Sequence, residues 1–104
     1  MPGFEDVGLT GAFVYEPKLY GDSRGYFCEL YRENLFSDRI SQRFVQFNQS
    51  RSSPGVLRGI HLQVGSGAAG KWVECLIGAI WDVCVDLRPE SPTFKKWVGV
   101  ELNE

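Results

Sequence analysis

Ile80-Trp81-Asp82-Val83-Cys84-Val85-Asp86-Leu87 reads as a β-strand of β-branched and aromatic residues, and its neighbours read the same way. Trp72–Ile77 precedes it across Gly78, which marks a hairpin or a kink. Pro89 to Pro92 is a turn, and Trp97–Leu102 is a further strand. Upstream, Ala12–Tyr15 is apolar and stops at Pro17. Asp22-Ser23-Arg24-Gly25 is a turn that leads into a strand over Tyr26–Tyr31. Phe44–Ser50 alternates, with Val45, Phe47 and Gln49 on one face and Gln46, Asn48 and Ser50 on the other. Ser52-Ser53-Pro54-Gly55 is a loop, and Val56–Gln63 a strand that Gly59 interrupts, as a bulge or a close approach. Only Glu33–Phe44 breaks the pattern: Leu35, Phe36 and Ile40 recur at helical spacing over about two turns. Short strands at near-regular spacing predict an all-β sandwich or barrel with one short helix.

The 104 residues, 43% hydrophobic and 23% charged, suit one soluble globular domain over 1–104 without linker or repeat. Ordering such a chain leaves little surplus stability, so a partner subunit would help. Three Trp, four Tyr and seven Phe exceed what a small monomer needs, and point to an interface or a stacking pocket. A net charge of −2 offers no basic stripe for a phosphate backbone, so nucleic acid is not an expected partner. Glu74 and Asp82 break the most apolar stretch, Trp72–Val85, so no membrane span is expected. The acidic N-terminus lacks the apolar core of a secretory signal. Three cysteines without a CxxC fit a reducing compartment, hence the cytoplasm. One histidine, His61, with no cysteine near it argues against a metal site. The chain stops at Glu104, directly after a strand, which reads as an architecture cut off.

The densest cluster of unusual residues is Arg58-Gly59-Ile60-His61-Leu62-Gln63, with Lys71 eight residues on. A lone histidine is more often structural than catalytic. Here a guanidinium stands three residues away, suited to a diphosphate or an enolate oxygen. Gln46 and Asn48 offer a polar face that could line the same concavity or simply meet solvent. Imidazole titrates near neutrality and serves as a base at cellular pH. Val64–Gly70 is glycine-rich but lacks the ending of a phosphate-binding loop. Asp82 and Asp86 share a face, either as paired carboxylates or with at least one capping a turn or binding Arg88.

In order along the chain stand Asp22-x-Arg24-Gly25-x-Phe27-x-Glu29, Gln46-x-Asn48-x-Ser50 and Gly55-Val56-Leu57-Arg58-Gly59-Ile60-His61-x-Gln63. Gly70-Lys71, Asp82-Val83-x-Val85-Asp86-Leu87-Arg88 and Ser91-Pro92-Thr93 follow. From about Phe13 to Leu102 this series resembles the dTDP-4-dehydrorhamnose 3,5-epimerase family. The resemblance implies a cupin-like jelly roll, here apparently truncated to the N-terminal half, usually paired as a homodimer. It implies an isomerase of dTDP-L-rhamnose biosynthesis for cell-surface polysaccharide. Its substrate would be dTDP-4-keto-6-deoxy-D-glucose, with no metal or organic cofactor. His61 would be the base and Lys71 the enolate stabiliser, and Arg24, Phe27, Glu29, Gln46, Asn48 and Arg58 would bind substrate. In some members the first of these reach into the partner subunit.

The family's members are roughly twice as long. The resemblance puts the proton-donating tyrosine and the aspartate that orients the histidine in the other half, and Tyr15, Tyr20, Tyr26 and Tyr31 do not match the donor. Leu62, Ala69 and Trp72 depart from the family pattern at the pocket edge. Half a jelly roll would expose sheet edges and one core face. The other readings are a single-carbon epimerase or ketoisomerase, a noncatalytic nucleotide-sugar-binding or assembly module, and an incomplete fragment of the epimerase.

Overall fold

A computed structural model describes residues 3–104. Its regular elements are strands β1 (Gly3–Asp6), β2 (Phe13–Glu16), β3 (Tyr20–Asp22) and β4 (Gly25–Phe27), helix α1 (Glu33–Phe36), a 3-10 turn at Gly65–Gly67, and strands β5 (Ala79–Val85) and β6 (Trp97–Asn103). The strands form three antiparallel pairs: β1 with β2, β3 with β4, and β5 with β6. Phe4 faces Tyr15, Tyr20 faces Phe27, and Asp82 faces Val100.

One aromatic cluster supplies the core. Phe36 is 1% exposed, and Phe4, Tyr15, Tyr31 and Trp72 surround its ring at centroid distances of 4.7–5.3 Å. Most of these contacts are edge-to-face, which sets the positive ring edge against a negative face. Arg39 closes the cluster from outside. Its guanidinium lies 4.9 Å from the Phe4 centroid and 5.0 Å from that of Phe13, and donates to Asp6 Oδ1 at 2.7 Å. The β1–β2 hairpin, α1 and the segment through Trp72 therefore meet at one side chain.

The helix is shorter than its spacing predicts. Helical hydrogen bonding ends in turns where the amides of Arg39 and Ile40 donate to the Phe36 carbonyl. Arg32 precedes it without a side-chain cap, and one turn without a cap has little intrinsic stability. What holds it is the burial of Phe36.

Several predicted strands are unpaired among the described residues. Tyr26–Tyr31 shortens to Gly25–Phe27, because its partner β3 begins only at Tyr20, after Pro17, which has no N–H to donate. Phe44–Ser50, Val56–Gln63 and Trp72–Ile77 form no ladder at all. Their alternation is that of strands, but a strand is defined by the backbone groups it pairs with, and these have none. The apolar side chains stay outside: Phe47 is 89% exposed and Leu57 91%. Gly78, at φ 82°, is a kink between Trp72–Ile77 and β5.

Where strands do pair, the sequence is well matched. Trp81 lies across the ribbon on Gly99, where a Cβ would come within 2.2 Å of its ring. The amide of Glu104 donates to the Gly78 carbonyl, closing the far end of β5–β6.

Replacing Phe36 by alanine removes the common contact of the cluster. We expect a loss of about 3–5 kcal/mol, enough to unfold the β1–β2/α1 unit. A urea titration followed by near-ultraviolet circular dichroism measures it, and an unchanged midpoint would contradict the assignment of the core.

Candidate active site

The best-satisfied polar assembly lies at the end of β5. The Asp86 side chain is 1% exposed. Its Oδ1 accepts from the Arg88 amide at 3.1 Å and Arg88 Nε at 2.9 Å. Its Oδ2 accepts from Arg88 Nη2 at 2.9 Å, Ser91 Oγ at 2.5 Å and Thr93 Oγ1 at 2.6 Å. Arg88 Nη2 also donates to the Thr10 carbonyl at 2.6 Å, while the Thr10 amide donates to Thr93 Oγ1 at 3.3 Å. Across the base of the loop, the Asp86 amide donates to the Lys96 carbonyl, and the Lys95 amide to the Asp86 carbonyl. One carboxylate thus ties the β5–β6 connection to the β1–β2 turn. The donors, Arg88 first and then Ser91 and Thr93, hold the Asp86 carboxyl far below the usual carboxylate range. Asp86 is a structural anion that binds Arg88, one of the two roles its position allowed; it does not pair with Asp82.

Around this knot opens a concavity of about 510 Å³, walled by Leu9–Ala12, by Leu62–Gly65 and by Cys84–Pro89. It adjoins the segment that directly follows His61. Partial desolvation, reinforced by the Asp82 carboxylate, pushes the Cys84 thiol up, so it stays protonated and poorly nucleophilic at neutral pH.

The predicted site residues fall into separate groups. Arg24 sits at the tip of the β3–β4 hairpin, where its amide and guanidinium bind Asp22, with Nη2 to Oδ2 at 2.6 Å. That contact holds the Asp22 carboxyl below its ordinary value and raises Arg24. Arg24 and Phe27 line a second concavity of about 230 Å³ together with Tyr20, Asp22 and Tyr26. Glu29 accepts from Arg32 Nε at 3.0 Å. Gln46 donates its amide to Asn48 Oδ1 at 3.2 Å, so these two share a face as their alternation predicts. Arg58 turns back onto its own loop, donating to Ser52 Oγ at 2.8 Å and to the Arg51 carbonyl at 3.3 Å.

His61 follows Gly59, whose φ is 98°. A Cβ on Gly59 would stand 3.4 Å from both the amide nitrogen and Nδ1 of His61. The glycine marks a close approach, and what approaches is the imidazole two residues on. Among the described residues neither His61 nor Lys71 takes part in an ion pair or a side-chain hydrogen bond, which leaves an imidazole and an amine available for other partners. Neither concavity is lined by His61, Lys71, Gln46, Asn48 or Arg58. Thr10 was invisible to sequence reasoning, because its backbone joins the knot from 78 residues away. Among the described residues no three His, Cys, Asp or Glu side chains gather as a metal-ligand set.

Antiparallel strand pairs, one helical turn and an extended path carrying a single imidazole place the chain among all-β proteins of the cupin-like kind. The sequence profile of the dTDP-4-dehydrorhamnose 3,5-epimerases matches residues 6–104, and the chain belongs to that family. The dTDP-4-dehydrorhamnose 3,5-epimerase of Salmonella typhimurium is 50% identical over 99 residues, covering 93% of this chain and 54% of that protein. The crystal structure of the Elizabethkingia anophelis dTDP-4-dehydrorhamnose 3,5-epimerase superposes at a TM-score of 0.90 with 47% identity, over 96% of this chain and 56% of that one. A Legionella pneumophila dTDP-6-deoxy-D-glucose-3,5-epimerase, solved in complex with dTDP-4-keto-L-rhamnose, superposes at 0.82 with 38% identity, over 97% of this chain and 54% of that one. The chain spans about half the length of the curated relatives it matches.

The depressed pKa of Asp86 sets the acid limb of stability. A carboxylate held below its unfolded value contributes fully above about pH 4, and the contribution is lost as pH falls below that. Thermal melts between pH 7 and pH 3 should show a steep acid limb that Asp86→Asn flattens, at the cost of lower stability at pH 7. Parallel curves for the two proteins would show that the knot does not control acid stability.

Proposed function

We propose that this chain carries the N-terminal part of a dTDP-4-dehydrorhamnose 3,5-epimerase. Its substrate is dTDP-4-keto-6-deoxy-D-glucose, and it works in the cytoplasm as a homodimer with no metal or organic cofactor and no nucleic-acid partner. The observation that carries the reading is the Legionella relative: a backbone that this chain follows along nearly its whole length holds dTDP-4-keto-L-rhamnose.

The chemistry suits the residue types. Carbons 3 and 5 of the sugar both flank the 4-keto group, which acidifies their protons. A base removes each proton in turn and leaves an enolate with its charge on the 4-oxygen. His61 is the base, and its lack of a partner among the described residues leaves its ring free to accept a proton. Lys71 stabilises the enolate, because an ammonium fixed near the developing charge lowers the barrier electrostatically. Arg24 and Arg58 are suited to the diphosphate, and Gln46 and Asn48 to neutral polar contacts. Phe27 is suited to stack on the base, while Glu29 holds the chain beyond β4 through Arg32. Return of a proton to the opposite face requires a donor from outside these assignments.

A second reading, a nucleotide-sugar-binding module without turnover, draws on the separation of the Arg24–Phe27 concavity from His61. Proton NMR of the 4-keto sugar nucleotide in heavy water separates the two. We expect loss of the signals at carbons 3 and 5, abolished in His61→Ala and slowed ~10²–10³-fold in Lys71→Ala. Exchange that survives unchanged in His61→Ala rules out the base assignment. Saturable binding without exchange in a folded sample favours the module.

A further inference from the structure

The protein leaves uncovered far more surface than its mass requires. It exposes 9185 Å², whereas a folded monomer of 11.7 kDa exposes about 5,900 Å², an excess of about 3,300 Å². Its radius of gyration is 15.3 Å, against about 13 Å for a compact chain of this length. A standard interface buries about 800 Å² on each partner. The excess is about four times that, the scale of a core divided in two rather than of two finished surfaces touching.

The missing cover has a defined chemistry. The excess is concentrated where Phe44–Ser50, Val56–Gln63 and Trp72–Ile77 run extended without ladders. Val45 is 90% exposed, Phe47 89%, Leu57 91% and Ile77 86%. Such segments present both apolar side chains and rows of unpaired N–H and C=O groups. A helix or a loop would cover the side chains and leave the backbone rows unmet. Only further strands satisfy both.

A copy of this chain fits that requirement poorly, because its own well-formed ribbons already pair with each other. The Elizabethkingia relative is matched along 96% of this chain, so the unpaired segments keep the family's path, while 44% of that relative's own chain is left over to pair with them. We infer that the face formed by Phe44–Ser50, Val56–Gln63 and Trp72–Ile77 is an obligate docking surface. Its partner is a strand-donating polypeptide with the β-pattern of that remaining part of the fold, and it can be supplied in trans. The inference rests on area and backbone pairing, independently of the catalytic roles given above.

The test is to refold the 104-residue chain from denaturant with a polypeptide comprising the part of the Elizabethkingia relative outside the matched region. Native mass spectrometry and amide hydrogen exchange are read with no nucleotide sugar present, so a failure here is separate from a failure of the epimerase reading. A 1:1 complex is expected, with exchange at Val56–Gln63 slowed at least ~100-fold. Phe47→Asp and Leu57→Asp should weaken it at least tenfold while leaving the isolated chain unchanged, since both side chains are almost fully exposed there. A single polypeptide joining this chain to the same part guards against inefficient assembly in trans, and added protection in it also supports the inference. A homo-oligomer that protects these amides without the added part overturns it, as does the absence of both a 1:1 complex and added protection in the joined chain.

Discussion

Phe36 is the side chain on which the ordered part of the molecule converges. It brings together the β1–β2 hairpin through Phe4 and Tyr15, the stretch after β4 through Tyr31, and the segment leading to β5 through Trp72. No other apolar side chain is buried to the same degree among the described residues. A core centred on one ring has little redundancy, because each element touches the others mainly through that ring. The one-turn helix exists to present Phe36, and Arg39 seals the cluster with a charge that also binds Asp6.

The Asp86 knot is the polar counterpart. Aromatic packing joins neighbours without fixing their angle closely, whereas five hydrogen bonds on one carboxylate fix geometry. The knot ties the β1–β2 turn to the β5–β6 connection, so two ends of the chain share a frame. The wall of the larger concavity is built on that frame, next to the stretch that carries His61. Structure and candidate chemistry meet there: the rigid side is Asp86, and the side that carries the imidazole lies on an extended segment without ladder partners.

That contrast explains how much of the molecule could be read beforehand. The β3–β4 turn was legible because Asp22-Ser23-Arg24-Gly25 is itself a turn sequence, stabilised by contacts two residues apart. The β6 strand was legible because Trp97–Leu102 alternates and its partner is nearby in the chain. Gly59 was legible as a close approach, because a glycine inside a strand pattern needs a reason. The strands over Phe44–Ser50, Val56–Gln63 and Trp72–Ile77 were read from the same alternation, yet alternation states only which faces a segment would present. Pairing depends on a second segment, and none of the described residues provides it. The candidate site shows the same division. Gln46 and Asn48 share a face by simple periodicity, whereas the separation of Arg24 and Phe27 from His61 depends on the relative placement of three unconnected stretches.

The sequence by itself determined the all-β character, the turns, the motifs that place the chain in its family, and the side chains with the chemistry of a base and a stabilising cation. Each of these rests on residue type and local spacing. Only the tertiary structure decided that Phe36 is the centre of the core, that Thr10 joins Asp86 across the molecule, and that half of the predicted strands stand without partners. Burial and hydrogen-bond pairing belong to groups distant in sequence and brought together in space, and no local pattern specifies them.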